Sequence, residues 1–351
     1  FYKAVNFITE KISPVTLLKG MYEAADTLAG RGIGYIHSVE GVGYKNDIDI
    51  DTINMICSAL PQKFTVFFQT MDTQKVLRRK MKHIGGCFRL ALDGCFGSED
   101  AALKDGYTNN PDNKGFLAYS QEEVDNFCIS ANRAGLQIAM HAIGDAAVEQ
   151  ALAGFEAAYN DYPQEDVRHI LIHGDLMSEA AIKKAAKMHI TIAVQPAFLH
   201  WREEPESYLT KILGARAKQI LPLRSMVDHG LLVTSGSDGP CTVPDPLYGI
   251  YAACNHPDQA QSLTPLEALK TYTLWAAKSA GDDNLYGSLS AGKKANFVVL
   301  DKNILEIPKE AIKDIKLCGV FLDGKRYKKG QPFNAARFAS KVLKSKFKGK
   351  L

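Results

Sequence analysis

The sequence predicts an α/β protein built as a (β/α)8 TIM barrel with a small β module at its C-terminus. Three observations support this fold class. Short apolar runs alternate with amphipathic, capped helices over most of the chain, which is the pattern of a parallel sheet with helices outside it. The 351 residues suffice for one large barrel with an appendage. After Gly287 the pattern changes to short strands and turns.

Capping residues mark the boundaries of the predicted helices. Ser13-Pro14 combines an N-cap residue with Pro at the first helical position, and Gly30 can end that helix. Two capping boxes start later helices, and the second of these helices is predicted to run to about Lys278. The remaining boundary residues are Ser120 with Glu123, Asp145, Ser178, Gly230 as a terminator, and Thr264 with Glu267.

Seven buried strands are predicted between these helices, whereas a closed barrel of this type needs eight. Because the first predicted element is a helix, we expect the missing first strand to precede Phe1. The alternative is an open, seven-stranded, doubly wound sheet. The predicted strands cover residues 33–39, 64–69, 87–92, 136–141, 169–173, 190–195 and 231–237.

The C-terminal part of the chain is predicted to be separate from the barrel, which is assigned to residues 1–286. Residues 287–335 are expected to form part of a small β-sandwich, in which Asp323-Gly324 is typical of a two-residue hairpin turn. Residues 336–351 are a Lys-rich, basic tail. We expect this tail to be solvated or frayed, although such a stretch can also bind an acidic surface.

Composition excludes several classes of function. The net charge of +3 is too small to indicate binding to nucleic acid or to an acidic membrane surface. No apolar stretch reaches membrane-spanning length. The seven Cys residues are scattered and include no C-x-x-C pair, so we expect reduced thiols and a cytoplasmic location.

Three predicted strand ends carry side chains of the metal-ligand type. His141 closes the strand in IAMHAIGD, His173 closes the strand in ILIHGD, and Asp238 follows the strand in LLVTSGSDGP. The C-terminal ends of barrel strands share one rim, so the three side chains should converge. A lone His at a strand end is more often structural, but imidazole together with carboxylate suits Zn²⁺ or a similar divalent ion. The sequence therefore predicts a metal site formed by these three residues.

The motifs taken together resemble the amidohydrolase superfamily. HAIGD, HILIHGD, VTSGSDGP and SLSAGKKANFVVLD are most similar to amidohydrolase family 3, the group that contains the N-substituted formamide deformylases. The likeness runs from about Ser13 to Gly330, with Asn296 at a position where Asp is common. The resemblance implies a TIM-barrel enzyme that hydrolyses C–N bonds with the help of a divalent metal.

The resemblance also implies roles for individual residues. His141 and His173 match the metal-ligand His residues after strands five and six, and Asp238 matches the strand-eight Asp that contacts the metal. That Asp takes the proton from the attacking metal-bound water, whose pKa the ion lowers towards ~7, and passes it to the leaving amine. Asp238 and His173 are thus the catalytic candidates, with His173 either a metal ligand or a group that polarises the substrate.

Two departures from the family pattern affect the metal site. The strand-one His-x-His pair is absent, and its place would be before Phe1. Counting back from Asp93-Gly94, Arg89 falls where many members carry the Lys that becomes carboxylated, a role that Arg cannot take. We therefore expect one divalent ion rather than two. One extra residue before Asp93 indicates a bulge in the strand.

Three residues are candidate substrate-binding groups. Arg89 can bind a substrate carboxylate or pair with Asp238, with a plain structural ion pair as the alternative. His37, at the end of the first predicted strand, can line the pocket, although a core or rim role is favoured. His200 follows the strand at 190–195 and can form a pocket wall or pack in an ordinary loop.

The leading hypothesis is a metal-dependent hydrolase of an amide or related C–N bond in a small molecule. One zinc ion would be held by the missing pair together with His141 and Asp238, so the 351 residues alone are expected to bind metal poorly. The alternatives are a catalytically impaired relative that acts as a binding or regulatory protein, and a deaminase of the same superfamily. Sheet edges left open by the missing strand invite pairing with another chain, which is compatible with a homodimer.

Overall fold

Two sheets organise the part of the chain that this computed structural model describes, namely residue 7 and residues 11–41, 47–164 and 167–348. The larger sheet is entirely parallel, and strands that are neighbours in the sequence are neighbours in the sheet. All seven predicted strands are present, so their carboxyl ends lie along one edge. The strands are β1 (Tyr35–Glu40), β2 (Lys63–Phe68), β3 (His83–Ala91), β4 (Gln137–Ala142), β5 (Ile170–His173), β6 (Thr191–Val194) and β7 (Leu232–Ser235).

Most helices of the described residues lie between successive strands of the large sheet, and others come after its last strand. The side chain of Ser13 caps the first helix by accepting a hydrogen bond from the Thr16 amide, and both predicted capping boxes are complete. The helices are α1 (Pro14–Gly30), α2 (Ile48–Ile56), α3 (Thr73–Arg78), α4 (Gln121–Arg133), α5 (Asp145–Asp161), α6 (Glu179–Lys187), α7 (Glu206–Leu213), α8 (Leu223–Asp228), α9 (Pro246–Cys254), α10 (Pro265–Thr271), α11 (Leu274–Ser279) and α12 (Ala335–Lys348).

The helix predicted to run from Thr264 to about Lys278 is broken into α10 and α11. Thr271 and Thr273 turn their hydroxyl groups back onto helix carbonyls, donating to Ala268 and Leu269 at 2.8 and 2.7 Å. Hydroxyl side chains that compete for helix carbonyls in this way weaken or bend a helix. The prediction of one continuous helix was therefore wrong.

The two faces of the large sheet carry different apolar clusters. The main core lies between the sheet and the surrounding helices and includes Phe68, Ile138 and Leu171. On the opposite, inner face, a small cluster of Phe67, Ala139, Ile170 and Ile172 packs with Val39, Cys87 and Ala193. Among the described residues β1 and β7 are edge strands that do not pair with each other. The sheet is therefore open, with an inner face that holds few apolar groups.

The smaller sheet confirms the predicted β module. Its strands, β8 (Phe297–Leu300), β9 (Leu317–Leu322) and β10 (Lys325–Arg326), are antiparallel in the order β10-β9-β8. The hairpin turn between β9 and β10 has positive φ at both central residues, 48° at Asp323 and 74° at Gly324, as a type I′ turn requires.

The basic tail is helical where it is described, and most of its described side chains are exposed. Helix α12 covers most of it, and Phe338 is only 6% exposed because its ring packs against Tyr22 of α1 and against Phe333. The spaced apolar residues of the tail thus form a docking face, while its Lys residues are directed to solvent where described. No helix in the described ranges is both long and apolar enough to cross a membrane.

Candidate metal centre

His141, His173 and Asp238 converge at the carboxyl edge of the large sheet. His173 is the last residue of β5 and lies beside β4, in register with Ala142, which brings the His141 and His173 rings to a centroid distance of 4.6 Å. Asp238 lies three residues beyond β7, and its Oδ2 is 3.9 Å from Nε2 of His173. The predicted site residues therefore surround one small volume.

Cys87 joins this group, although the sequence did not single it out. One ligand atom each of Cys87, His173 and Asp238 lie within 4.8 Å of one another, and in the described part of the chain this is the one such group of three or more His, Cys, Asp or Glu. The His141 ring lies directly beside the group. The signal that could have found Cys87 is the predicted bulge, because a bulge changes which side chains face the site.

The bulge that directs Cys87 inward is built into β3. The register between β3 and β4 shifts between Gly86 and Ala91, as the extra residue predicted. Gln69, whose side chain is fully buried, accepts hydrogen bonds at Oε1 from the amides of Cys87 and Phe88, at 3.0 and 2.7 Å. Gly86 has a φ of 153°, and a Cβ there would lie 2.5 Å from the Gln69 side chain. Gln69 and Gly86 together fix the backbone at Cys87.

Asp93 orients His141 from below the site. Its fully buried carboxylate accepts hydrogen bonds from the amides of Ile143 (3.0 Å), Gly144 (2.8 Å) and Ala102 (3.0 Å). The same carboxylate lies 3.4 Å from Nδ1 of His141. The geometry of this contact is not that of a hydrogen bond, but the nearby negative charge favours a ring orientation that turns Nδ1 towards the carboxylate. In the sequence, Asp93 served only as the reference for aligning β3 with the family pattern, and its place beside His141 was not predicted.

Two residues of the site have unusual backbone conformations. His173 has a φ of 72° and Asp238 a φ of 51°, in the left-handed region that few non-glycine residues occupy. Such conformations cost free energy of order 1–3 kcal/mol each and persist where the surroundings over-determine them. The fold therefore holds the His173 and Asp238 side chains in place through strained main chain.

Burial controls the protonation states of the site. Burial and the neighbouring His141 lower the pKa of His173 well below its usual value, so its imidazole is neutral at pH 7. Burial raises the pKa of Asp238, against opposing effects of His141 and of a hydrogen bond from Cys241. Burial, reinforced by Glu204, also raises the pKa of Asp175 to about 7. Burial therefore shifts His173 and Asp238 towards their uncharged forms.

These residues fit a divalent metal ion. Within the described residues, the buried Nδ1 atoms of His141 and His173 are without hydrogen-bond partners. Neutral imidazole is the form of His that binds metals. Two imidazoles, a carboxylate and a thiol form a donor set suited to zinc or a similar ion.

The three predicted substrate-binding residues have different surroundings. Arg89 is half-buried within the β3 bulge, where its backbone carbonyl accepts a hydrogen bond from Tyr119. His37 does not end its strand, because β1 continues to Glu40. It lies mid-strand, in register with Thr65 and beside the Tyr35 and Phe67 rings, and is exposed rather than in the core.

His200 points away from the site. Its Nε2 donates to the backbone carbonyl of Asn255 at 3.1 Å, and its ring packs on Tyr251 of α9. Loop packing is thus the better description of His200. Phe198, which contacts the Trp201 ring, is the aromatic residue beside His173, at a centroid distance of 6.2 Å.

Comparison with known proteins identifies one family and several relatives. The sequence pattern described as the amidohydrolase family matches residues 6–327. The chain is 31% identical over 63% of its length to the protein LONG AFTER FAR-RED 3 of Arabidopsis thaliana, and 30% identical over 61% to the putative amidohydrolase YtcJ of Bacillus subtilis. It is 26% identical over 68% to the N-substituted formamide deformylase of Arthrobacter pascens. The matches span 39%, 42% and 45% of these relatives, respectively.

The fold is similar to that of a solved metal-dependent hydrolase. The crystal structure of an uncharacterized metal-dependent hydrolase from Pyrococcus furiosus superimposes with a TM-score of 0.70 at 24% identity. The superposition covers 85% of this chain and 63% of the other. At this identity the likeness concerns the fold alone.

Proposed function

This chain belongs to the amidohydrolase family, and we propose that it is a metal-dependent hydrolase of an amide or related C–N bond in a small molecule. The observation that carries the proposal is the convergence of His141, His173 and Asp238 at the carboxyl edge of a parallel sheet. Active sites of parallel α/β barrels lie at this edge. The similarity to an N-substituted formamide deformylase supports a C–N bond as the target.

His173 and Asp238 are the residues that would hold the metal, with His141 beside them. When bound there, a divalent ion lowers the pKa of a coordinating water towards ~7 and polarises a carbonyl oxygen. The lone pair of the neutral His173 imidazole is available to a cation. Asp93 keeps the His141 ring in one orientation.

Asp238 is the proton-transfer group. Its carboxylate accepts the proton of the attacking water and then delivers it to the nitrogen of the leaving amine, without which the C–N bond breaks slowly. The raised pKa of this half-buried carboxyl suits both halves of that task, since it is a better base than an exposed Asp. Phe198 and Trp201 form an apolar wall next to His173 that can exclude water.

One observation favours a second candidate, a binding or regulatory protein without catalysis. Arg89 stands in the β3 bulge, where the resemblance expects a carboxylated Lys, and Arg cannot form a bridge between two metals. A site of this kind can still bind a metal or an acidic small molecule.

Hydrolysis assays with defined metal content distinguish the two candidates. Purified 351-residue chain is stripped with a chelator, reloaded with Zn²⁺, Co²⁺ or Mn²⁺, and offered a panel of N-substituted formamides and small N-acylated amines. We expect release of the primary amine that requires the metal and stops on chelation. Stoichiometric metal without amine release from any compound would reject the enzyme and favour the binding protein.

A further inference from the structure

We propose that the Cys87 thiolate is a protein ligand of the metal, so that Cys87, His173 and Asp238 form a three-ligand site within this chain. The inference rests on the proposed function only in taking the site to bind a divalent ion. A catalytic zinc site uses three protein ligands and leaves a further position open. With three ligands of its own, the chain should bind a divalent ion without the missing His-x-His pair, contrary to the poor binding expected from the sequence.

The spacing of the three ligand atoms suits one ion. They lie within 4.8 Å of one another, whereas the ligand atoms of a tetrahedral zinc ion are roughly 3.5 Å apart, given bond lengths of 2.0–2.3 Å. An inward movement of about 1 Å would close the site, and small rotations of the three side chains supply it. The His173–Asp238 distance of 3.9 Å is already close to the required spacing.

The surroundings of Cys87 distinguish it from the other buried thiols. Cys128 and Cys254 lie in the apolar core between the sheet and the helices. Cys87 instead lies on the inner face of the sheet, with its Sγ within 4.8 Å of ligand atoms of His173 and Asp238. Cys87 packs on the inner apolar cluster and also lies beside a carboxylate and an imidazole, where a thiolate is a good soft ligand for zinc.

The β3 bulge explains how Cys87 comes to face the site. Gln69 binds the Cys87 and Phe88 amides, and the register with β4 is lost between Gly86 and Ala91. Within such a bulge the alternation of side chains is interrupted. Counting residues back from Asp93 therefore does not determine which β3 side chain meets the metal, and the ligand atom of β3 belongs to Cys87 in this proposal.

Cobalt substitution tests the proposal directly. Co²⁺ bound through a thiolate shows a sulfur-to-metal charge-transfer band in the near ultraviolet that nitrogen and oxygen ligands do not give. We expect this band in the Co²⁺-loaded chain, its loss in Cys87→Ser, and its retention in Cys318→Ser, the exposed thiol of β9. The zinc affinity of Cys87→Ser should fall by at least ~10–100-fold, which is the usual cost of losing a residue that only hydrogen-bonds to a metal ligand.

A second measurement needs no substitution. Zinc should protect Cys87 from N-ethylmaleimide in the unaltered chain, as read by peptide mass spectrometry, while the exposed Cys318 reacts equally with and without the ion. Loss of the cobalt band in Cys241→Ser but not in Cys87→Ser, or cobalt binding with no sulfur band, would overturn the proposal. Neither measurement depends on turnover. A sulfur-ligated metal without amide hydrolysis would therefore reject the proposed function but leave the proposed Cys87 ligand standing.

Discussion

His173 Nε2 and Asp238 Oδ2 face each other at 3.9 Å, although β6 lies between the strands that carry them. This separation is too long for a hydrogen bond. The positive φ values of both residues fix the gap through the main chain. The geometry therefore leaves room for an ion or a water molecule between an imidazole and a carboxylate.

Replacing Asp238 by Asn should abolish most hydrolysis while leaving the fold intact. The amide keeps the shape of the side chain but cannot accept the proton of the attacking water, so kcat should fall by roughly 10²–10⁴. Steady-state amine release measures the loss, and far-ultraviolet circular dichroism checks the fold. Asp112→Asn, in an exposed loop, is the matched control. Wild-type kcat in Asp238→Asn would remove this residue from the mechanism.

Gly85→Ala should destabilise the protein severely, whereas Gly20→Ala should stabilise it. A Cβ at Gly85 would lie 2.0 Å from the Ala139 carbonyl oxygen, and the φ of 105° is unfavourable for alanine. We expect a loss above about 3 kcal/mol, comparable to other severe backbone clashes. Gly20 lies inside α1 with open space around it, so alanine should add about 0.5–1 kcal/mol. Urea unfolding measures both, and similar midpoints for the two variants would contradict the prediction.

The ion pair between Arg224 and Glu267 should make stability fall in acid. Burial alone would raise the pKa of Glu267, but hydrogen bonds from Arg224 and Thr264 outweigh it and lower the pKa to about 2. Because the folded pKa lies below the ordinary value of 4.5, the stabilisation is complete above about pH 4.5. It is lost as the pH falls towards 2.

Glu267→Gln should flatten that part of the pH profile and cost about 0.2–1 kcal/mol at pH 7, since the ion pair is lost while Gln keeps the reciprocal hydrogen bond of the capping box. Melting temperatures from pH 2 to pH 7 measure the effect. Glu179→Gln is the control, because its ion pair with Lys183 is exposed. An unchanged slope in Glu267→Gln would show that other carboxyl groups control acid unfolding.

Phe338→Ala should destabilise the protein by about 3–5 kcal/mol, the usual cost of removing a buried aromatic ring. The ring is 6% exposed and packs against Tyr22 and Phe333. Leu343→Ala, at a position of α12 that is 58% exposed, should change stability little. Equal unfolding free energies for the two variants would mean that α12 contributes no packing.

Local signals in the sequence predicted most of the fold. The caps at Ser13, Ser120 and Thr264 and the apolar strand runs depend on neighbouring residues alone, and the structure confirms them. The break at Thr271 and the docking of Phe338 depend on hydrogen bonds and surfaces that form only in the folded chain. The spacing of apolar residues along the sequence therefore cannot predict these two features.

The site was predictable where a residue ends a regular strand. His173 is the last residue of β5 and His141 the last but one of β4, so their common edge followed from the parallel arrangement. Cys87 did not follow, because its direction depends on a bulge that the distant Gln69 stabilises through backbone amides. The contact of His200 did not follow from the sequence either, because its partner Asn255, at the end of α9, is 55 positions away.

The hydrogen bond between Asp26 and Tyr327 has a consequence for biosynthesis. The two residues are 301 positions apart, and the same carboxylate also accepts from the Gly330 amide at 2.9 Å. A contact of such high sequence separation forms only after residues 327–330 have been translated. Until then Asp26 lacks both of these partners, so α1 acquires its hydrogen bonds to the C-terminal module late in synthesis.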